Sequence, residues 1–317
     1  MTANKSDGKT KLGIVGAGLM GHALAQLFAM QGNPVALFDN NQSVLESAPE
    51  RIRNNFRTFL ELGLAVPEDV ERCLGLISLC PSLREAVQDS EIIIEAASEK
   101  LPLKQEIFSQ IEDCVGPDTL LCTNTSAISV SQIAEPLKRK ERLVGTHFWN
   151  PPHIVPCVEV IRSAYTSEEV FETVYDFMKR AGKKPVKVLK DVPGFLGNRM
   201  QHALWREATS LAQAGIASAE DIDAVVKFGF GLRMPFLGPL ETADLAGLDL
   251  THDVHLYLFP FLENTATPLP ILEEKLRDGK LGVKSLEGFH QWSREDVERV
   301  IKARDAVLLK IAKLVAG

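Results

Sequence analysis

The chain has 317 residues, 45% hydrophobic and 24% charged, with 42 acidic against 35 basic side chains and a formal net charge of -7. That length exceeds one small core, so two domains are expected, and the acidic balance speaks against a nucleic-acid partner. Residues 1–11 are polar and no apolar run reaches membrane-spanning length, so no membrane partner and a cytoplasmic location are expected.

The first predicted strand is the apolar run at 12–15, followed at once by Gly16-Ala17-Gly18-Leu19-Met20-Gly21 and a helical pattern of Met20, Ala23, Leu24, Leu27 and Met30. This is the layout of a dinucleotide cradle. The first glycine permits the turn, the second lets backbone approach a pyrophosphate, the third lets helix and sheet pack, and the helix N-terminus offers free N–H groups. A second strand, 34–38, ends at Asp39. A carboxylate there accepts the two ribose hydroxyls and repels a 2′-phosphate; with Asn40 and Asn41 following and no cation within several residues, NAD is expected over NADP. The alternative is that Asp39 only starts a turn.

A helix is expected over 41–64 and another over 67–73, then strands at 76–79, 91–95, 119–122, 143–146, 155–161 and 185–189 with helices between most of them. The alternation means an α/β Rossmann-type domain with a mostly parallel sheet. After residues 190–194 the strand signals stop. An apolar stripe over 195–214 and a helix capped by Ser218 open an all-α C-terminal domain. The expected boundaries are 1–190 for NAD binding and 191–317 for substrate binding and dimerisation, because the second part carries more apolar faces than so small a domain hides. His252 and His255 form an HxxH without the usual ligand cluster, so no metal is expected; five scattered cysteines fit reduced thiols.

The residues with chemistry lie around Thr146-His147-Phe148-Trp149-Asn150-Pro151-Pro152, which ends one strand in a turn. His147 stands in that segment, and Glu159 lies among apolar residues of the return strand, where an ionised carboxylate needs donors or a cation. The hairpin can set Glu159 opposite His147, fixing its tautomer and stabilising the imidazolium. Alternation equally permits an outward Glu159 with His147 as a core residue.

The ordered motifs GAGLMG with Asp39, Glu95-Ala-Ala-Ser-Glu99 with Lys104, Asn124-Thr-Ser126, His147-Phe-Trp-Asn-Pro151, Val158-Glu-Val160, Asp191-Val-Pro-Gly-Phe-Leu-Gly-Asn-Arg199, Gly238-Pro-Leu-Glu241 and Gly282-Val-Lys-Ser-Leu-Glu-Gly-Phe289 span nearly the whole chain. With them the sequence resembles the L-3-hydroxyacyl-CoA dehydrogenase family. The resemblance implies that His147 is the general base and Glu159 its partner, that Ser126, Asn150 and Asn198 line the reacting centre, and that Glu99, Lys104, Ser126, Asn150 and Lys284 contact NAD. It implies reversible oxidation of a 3-hydroxy group to a ketone in a homodimeric enzyme of fatty acid metabolism.

Two stretches depart from that pattern. Acyl-CoA members carry a lysine-rich helix suited to CoA phosphates, whereas here Arg51, Arg53 and Arg57 are followed by apolar and acidic residues. Gly231-Leu-Arg233-Met-Pro-Phe-Leu-Gly-Pro239 and Asn150-Pro-Pro-His153 are similar to relatives acting on free hydroxy acids, of the gulonate and pyridine-carboxylate types. Arg233 then suits a substrate carboxylate, against the alternative of a salt bridge holding its loop. A different class of function is also open: an NAD(H)-binding structural protein, as in crystallin relatives.

Overall fold

The structure, a computed structural model, describes residues 9–316; the first eight residues of the polar N-terminal stretch lie outside it. Eight strands form one sheet: β1 (Leu12–Val15), β2 (Val35–Phe38), β3 (Ile77–Leu79), β4 (Ile92–Glu95), β5 (Leu120–Thr123), β6 (Leu143–Phe148), β7 (Cys157–Ile161) and β8 (Lys184–Val188). Their order is β3-β2-β1-β4-β5-β6-β7-β8. Neighbours run parallel except β6 and β7, which are antiparallel because a short connection joins them. The inner strands β1, β4 and β6 are buried along their whole length, as continuous apolar runs require when helices cover both faces. Phe28, Phe56, Phe108, Phe171 and Phe195 fill the space between sheet and helices.

The strand order reverses between β1 and β4, and the loops leaving their C-terminal ends meet there: a Cβ on Gly16 would come within 2.7 Å of the Ala96 carbonyl. Such a switch point is where open α/β sheets hold ligands. All eight strands fall where the alternation of sequence patterns puts them.

Two details differ from the sequence reading. The helix expected over 41–64 is divided into Gln42–Glu46 and Ala48–Glu61, because Pro49 lacks an N–H and starts a new first turn. Strand β6 continues through His147 and Phe148, since the ladder with β7 supports those residues.

The described residues fall into two compact units, the first ending at Asn198 and the second beginning at Arg199. The second holds the helices Ala219–Phe228, Pro239–Ala246, Leu248–Leu258, Pro270–Arg277 and Arg294–Ala316. Ser218 caps the first of these, its hydroxyl accepting the Asp221 N–H at 3.1 Å. No strand occurs among its described residues beyond the isolated bridges Gly282–Glu287 and Glu287–Gln291.

Candidate active site

The glycine loop is shaped by its own backbone. Gly16 has φ +100°, a region closed to most side chains, and a Cβ on Gly21 would lie 1.6 Å from the Gly16 carbonyl oxygen. The third glycine therefore serves the loop itself as much as helix packing against the sheet. Gly18 differs: nothing lies within 4 Å of a Cβ placed there, so the protein's own packing does not demand glycine. Open space of this kind fits a ligand that must touch the backbone. The N–H groups of Gly18, Leu19, Met20 and Gly21 donate to nothing among the described residues, which is the donor set a pyrophosphate takes.

Asp39 faces this loop from the end of β2. Its Oδ2 accepts the Ala17 N–H at 2.7 Å and its Oδ1 the Asn41 N–H at 2.8 Å. Each oxygen retains a lone pair for a ribose hydroxyl. These residues fit NAD.

Across the switch point, the loop after β5 is organised by Glu99. Its Oε1 accepts the Thr125 hydroxyl at 2.6 Å and the N–H groups of Ser126 at 2.9 Å and Ala127 at 3.0 Å. Burial pushes the Glu99 carboxyl up, but these bonds and the Lys104 ammonium outweigh it and hold the group below its ordinary value. Lys104 is itself fully buried; its Nζ donates to both oxygens of Glu95 at 2.8 and 3.0 Å and stands 3.4 Å from Glu99. The ammonium is enclosed by these two carboxylates. Glu95 completes its set with the Thr123 hydroxyl at 2.7 Å and the Ala97 N–H at 2.7 Å.

His147 and Glu159 are a directly opposed pair in the β6–β7 ladder, and His147 Nδ1 lies 2.7 Å from Glu159 Oε2. Both are buried. The solvent-facing alternative for Glu159 is excluded by its burial on the face it shares with His147. The other oxygen, Oε1, accepts the N–H groups of Leu196 at 2.9 Å and Gly197 at 3.0 Å, at the start of the helix Gly197–Gln213. Burial raises the Glu159 carboxyl, yet the bonds from His147, Gly197 and Leu196 more than compensate and leave it lowered. An ionised carboxylate has no proton to give, so the imidazole Nδ1 carries the hydrogen of this bond. The two amides converge on Glu159 through a left-handed turn, Gly194 at φ +76° and Phe195 at φ +51°. Such a φ costs a non-glycine residue about 1–2 kcal/mol, and the full burial of the Phe195 ring offsets it. The rings of Trp149 and Phe195 flank the imidazole at 5.2 and 5.8 Å.

Around this pair, Asn198 Nδ2 donates to the Ser126 carbonyl at 2.8 Å, joining two of the expected reacting-centre residues. Asn150 stands exposed just beyond β6. Asn124 and Asp191 were not singled out from sequence and prove to tie the loops: Asn124 Oδ1 accepts the Phe148 N–H at 3.0 Å, and Asp191 Oδ2 accepts both the Ser129 and Ser131 hydroxyls, at 2.6 and 2.7 Å. Their membership of the Asn124 and Asp191 motifs was the available signal. In the second unit, Lys284 is exposed on the turn between Gly282 and Glu287. Arg233 is exposed at the end of the 3-10 turn Phe230–Arg233, and its guanidinium has no partner among the described residues, so the salt bridge holding its loop is absent there.

The family described as 3-hydroxyacyl-CoA dehydrogenase, NAD binding domain, matches residues 11–192, and its C-terminal domain matches residues 194–292. The chain belongs to the 3-hydroxyacyl-CoA dehydrogenase family. It is an NAD-dependent dehydrogenase. It is 31% identical over 306 residues to 5-formyl-3-hydroxy-2-methylpyridine 4-carboxylate 5-dehydrogenase of Mesorhizobium japonicum, covering 96% of this chain and 98% of that one. Human hydroxyacyl-coenzyme A dehydrogenase, a mitochondrial protein, is 34% identical over 292 residues, 88% of this chain and 90% of that one. A crystal structure of 5-formyl-3-hydroxy-2-methylpyridine 4-carboxylic acid 5-dehydrogenase, an NAD+-dependent dismutase, superposes with a TM-score of 0.90 at 31% identity, over 98% of this chain and 99% of that one. Among the described residues no helix is long and apolar enough to cross a membrane.

Proposed function

We propose that this dehydrogenase oxidises a secondary hydroxyl to a ketone with His147 as general base and Glu159 as its orienting partner, and that its substrate is a small hydroxy acid bearing a free carboxylate. Bound NAD supplies the acceptor for the hydride leaving the carbinol carbon. His147 Nε2 takes the hydroxyl proton, and Glu159 stabilises the imidazolium that results; in the reducing direction the same nitrogen returns the proton. Ser126 and Asn198 orient the alcohol and polarise the ketone oxygen, Asn150 lines the reacting centre, and Glu99 and Lys284 serve the cofactor.

One observation carries the choice of a free acid. Of the three arginines at the place where CoA phosphates would be met, Arg51 is bonded to backbone carbonyls and Arg53 to Glu71, leaving only Arg57. Arg233, by contrast, presents a guanidinium without a partner among the described residues, suited to bidentate capture of a carboxylate. A 3-hydroxyacyl-CoA thioester, and with it fatty acid metabolism, is the second reading, favoured by the likeness to the human acyl-CoA enzyme. NADH consumption with acetoacetyl-CoA against a panel of free 3-keto acids separates the two. Turnover confined to the thioester overturns the free acid, and no turnover on any compound despite NADH binding overturns both in favour of a crystallin-like structural role.

The reading assigns NAD binding to the first unit and substrate binding and dimerisation to the second. Support for a homodimer comes from Phe228, Leu240 and Tyr257 in the second unit, which are 80%, 81% and 75% exposed. Five free cysteines support a reducing, cytoplasmic setting.

A further inference from the structure

We propose that Arg51 is a positioning residue for the cofactor's pyrophosphate: it aims and strengthens the free amides of the glycine loop by binding the carbonyls behind them. Arg51 lies in the first turn of the helix Ala48–Glu61, more than thirty residues along the chain from that loop. Its Nη2 donates to the Ala17 carbonyl at 2.5 Å and the Val44 carbonyl at 3.0 Å, and its Nη1 to the Gly18 carbonyl at 3.1 Å.

The consequence follows from peptide geometry. The Ala17 carbonyl and the Gly18 N–H belong to one planar unit, and the Gly18 carbonyl and the Leu19 N–H to the next. A trans peptide holds its C=O and N–H antiparallel, and both units are trans, so tying the oxygens to Arg51 points the two N–H groups away from it. Those are two of the four loop amides that donate to nothing among the described residues. A carbonyl that accepts a charge-assisted bond also polarises its own N–H into a better donor.

Gly18 is held further. His22 Nδ1 lies 2.7 Å from its carbonyl and 3.2 Å from Arg51 Nη1, and burial, with the adjacent Arg51 charge, holds the imidazole below its ordinary pKa despite the bond to Gly18. On the other flank, Asp39 accepts the Ala17 N–H at 2.7 Å, so Ala17 is gripped on both backbone polar atoms by side chains of opposite charge. With its two terminal nitrogens occupied, Arg51 is withheld from a 2′-phosphate although the Asp39 charge is felt at its guanidinium.

The proposal rests on NAD as the cofactor and on no choice of substrate. The test is direct binding to the full chain, by titration calorimetry, of NADH and ADP-ribose, which contain the pyrophosphate, and by ligand-observed NMR of adenosine, which does not. Wild-type NADH binding checks the cofactor; the ratio of variant to wild type checks Arg51. For Arg51→Met the Kd values of NADH and ADP-ribose rise together, by about tenfold to a hundredfold, while that of adenosine moves by less than about twofold. Arg51→Lys, whose ammonium cannot span three carbonyls, falls between. Equal weakening of adenosine, or a lowered Tm with unchanged NADH binding, overturns the proposal by reducing Arg51 to a fold contact. Should Arg51→Met not fold, Arg51→Lys decides: a raised Kd for NADH with adenosine unchanged supports the proposal, and a wild-type Kd overturns it.

Discussion

Replacing Glu159 by glutamine keeps the shape of the side chain and changes only what it donates and accepts, so the outcome is set by the three N–H groups that surround it. The carboxylate accepts from His147 Nδ1 at 2.7 Å and from the Leu196 and Gly197 amides at 2.9 and 3.0 Å. A glutamine turned with its oxygen toward His147 would set its NH2 against two buried backbone donors, at about 1–3 kcal/mol each. Turned the other way it satisfies both amides, and its NH2 donates to His147 Nδ1, which must then be the bare nitrogen. The second arrangement is favoured and leaves the proton on Nε2, where the base should be. Recovering the active tautomer requires the first arrangement, about 2–6 kcal/mol higher, so kcat falls by about 30-fold to 10⁴-fold. The fold has lost charge but no hydrogen bond, and Tm falls by no more than about 2–4 °C. Steady-state NADH formation, a thermal melt and an NADH titration on one preparation check this. A variant that keeps kcat within about threefold of wild type, or one that unfolds, refutes the tautomer argument.

Gly197→Ala places a Cβ 2.1 Å from Trp149 Cζ2, and the displaced indole neighbours the His147 ring. The expected cost is about 1–3 kcal/mol in urea unfolding with a fall in kcat; an unmoved midpoint contradicts the contact. Glu99 and Glu159 both have carboxyl pKa values held below the ordinary carboxylate value, so their stabilisation is complete above that value and is lost as pH falls through the lowered folded-state values. Glu99→Gln should therefore flatten the acid limb of stability, measured as the urea midpoint from neutral pH downward; a limb as steep as wild type removes Glu99 from the account. Arg233→Met should raise KM for a free acid by roughly tenfold to a hundredfold with kcat unchanged, and equal effects on acid and thioester would show that Arg233 binds no carboxylate.

The strands were legible because buried parallel strands read as short apolar runs between helical periods, and the glycine loop because its turn leaves few residue choices. The His147–Glu159 pair was half legible. Spacing allowed a hairpin, but only the register, with His147 still inside β6, decides which face Glu159 takes. What stayed hidden depends on contacts far along the chain. The Leu196 and Gly197 amides reach Glu159 through a positive φ at Phe195, a residue type that gives no hint of it. Nothing local marks Arg51 as a side chain that crosses to the glycine loop. Lys104 carries the opposite lesson: the motif gave its neighbourhood, and only burial beside Glu95 shows that its charge is internal.

The central claim is that His147 moves the proton while the rest of the site holds NAD. It is tested most directly with His147→Gln, by measuring NADH Kd and turnover on whichever compound of the keto-acid and thioester panel the wild type reduces. The expected result is an unchanged Kd and a kcat lowered by about 10²–10⁴-fold. A near-normal kcat in that variant would contradict it.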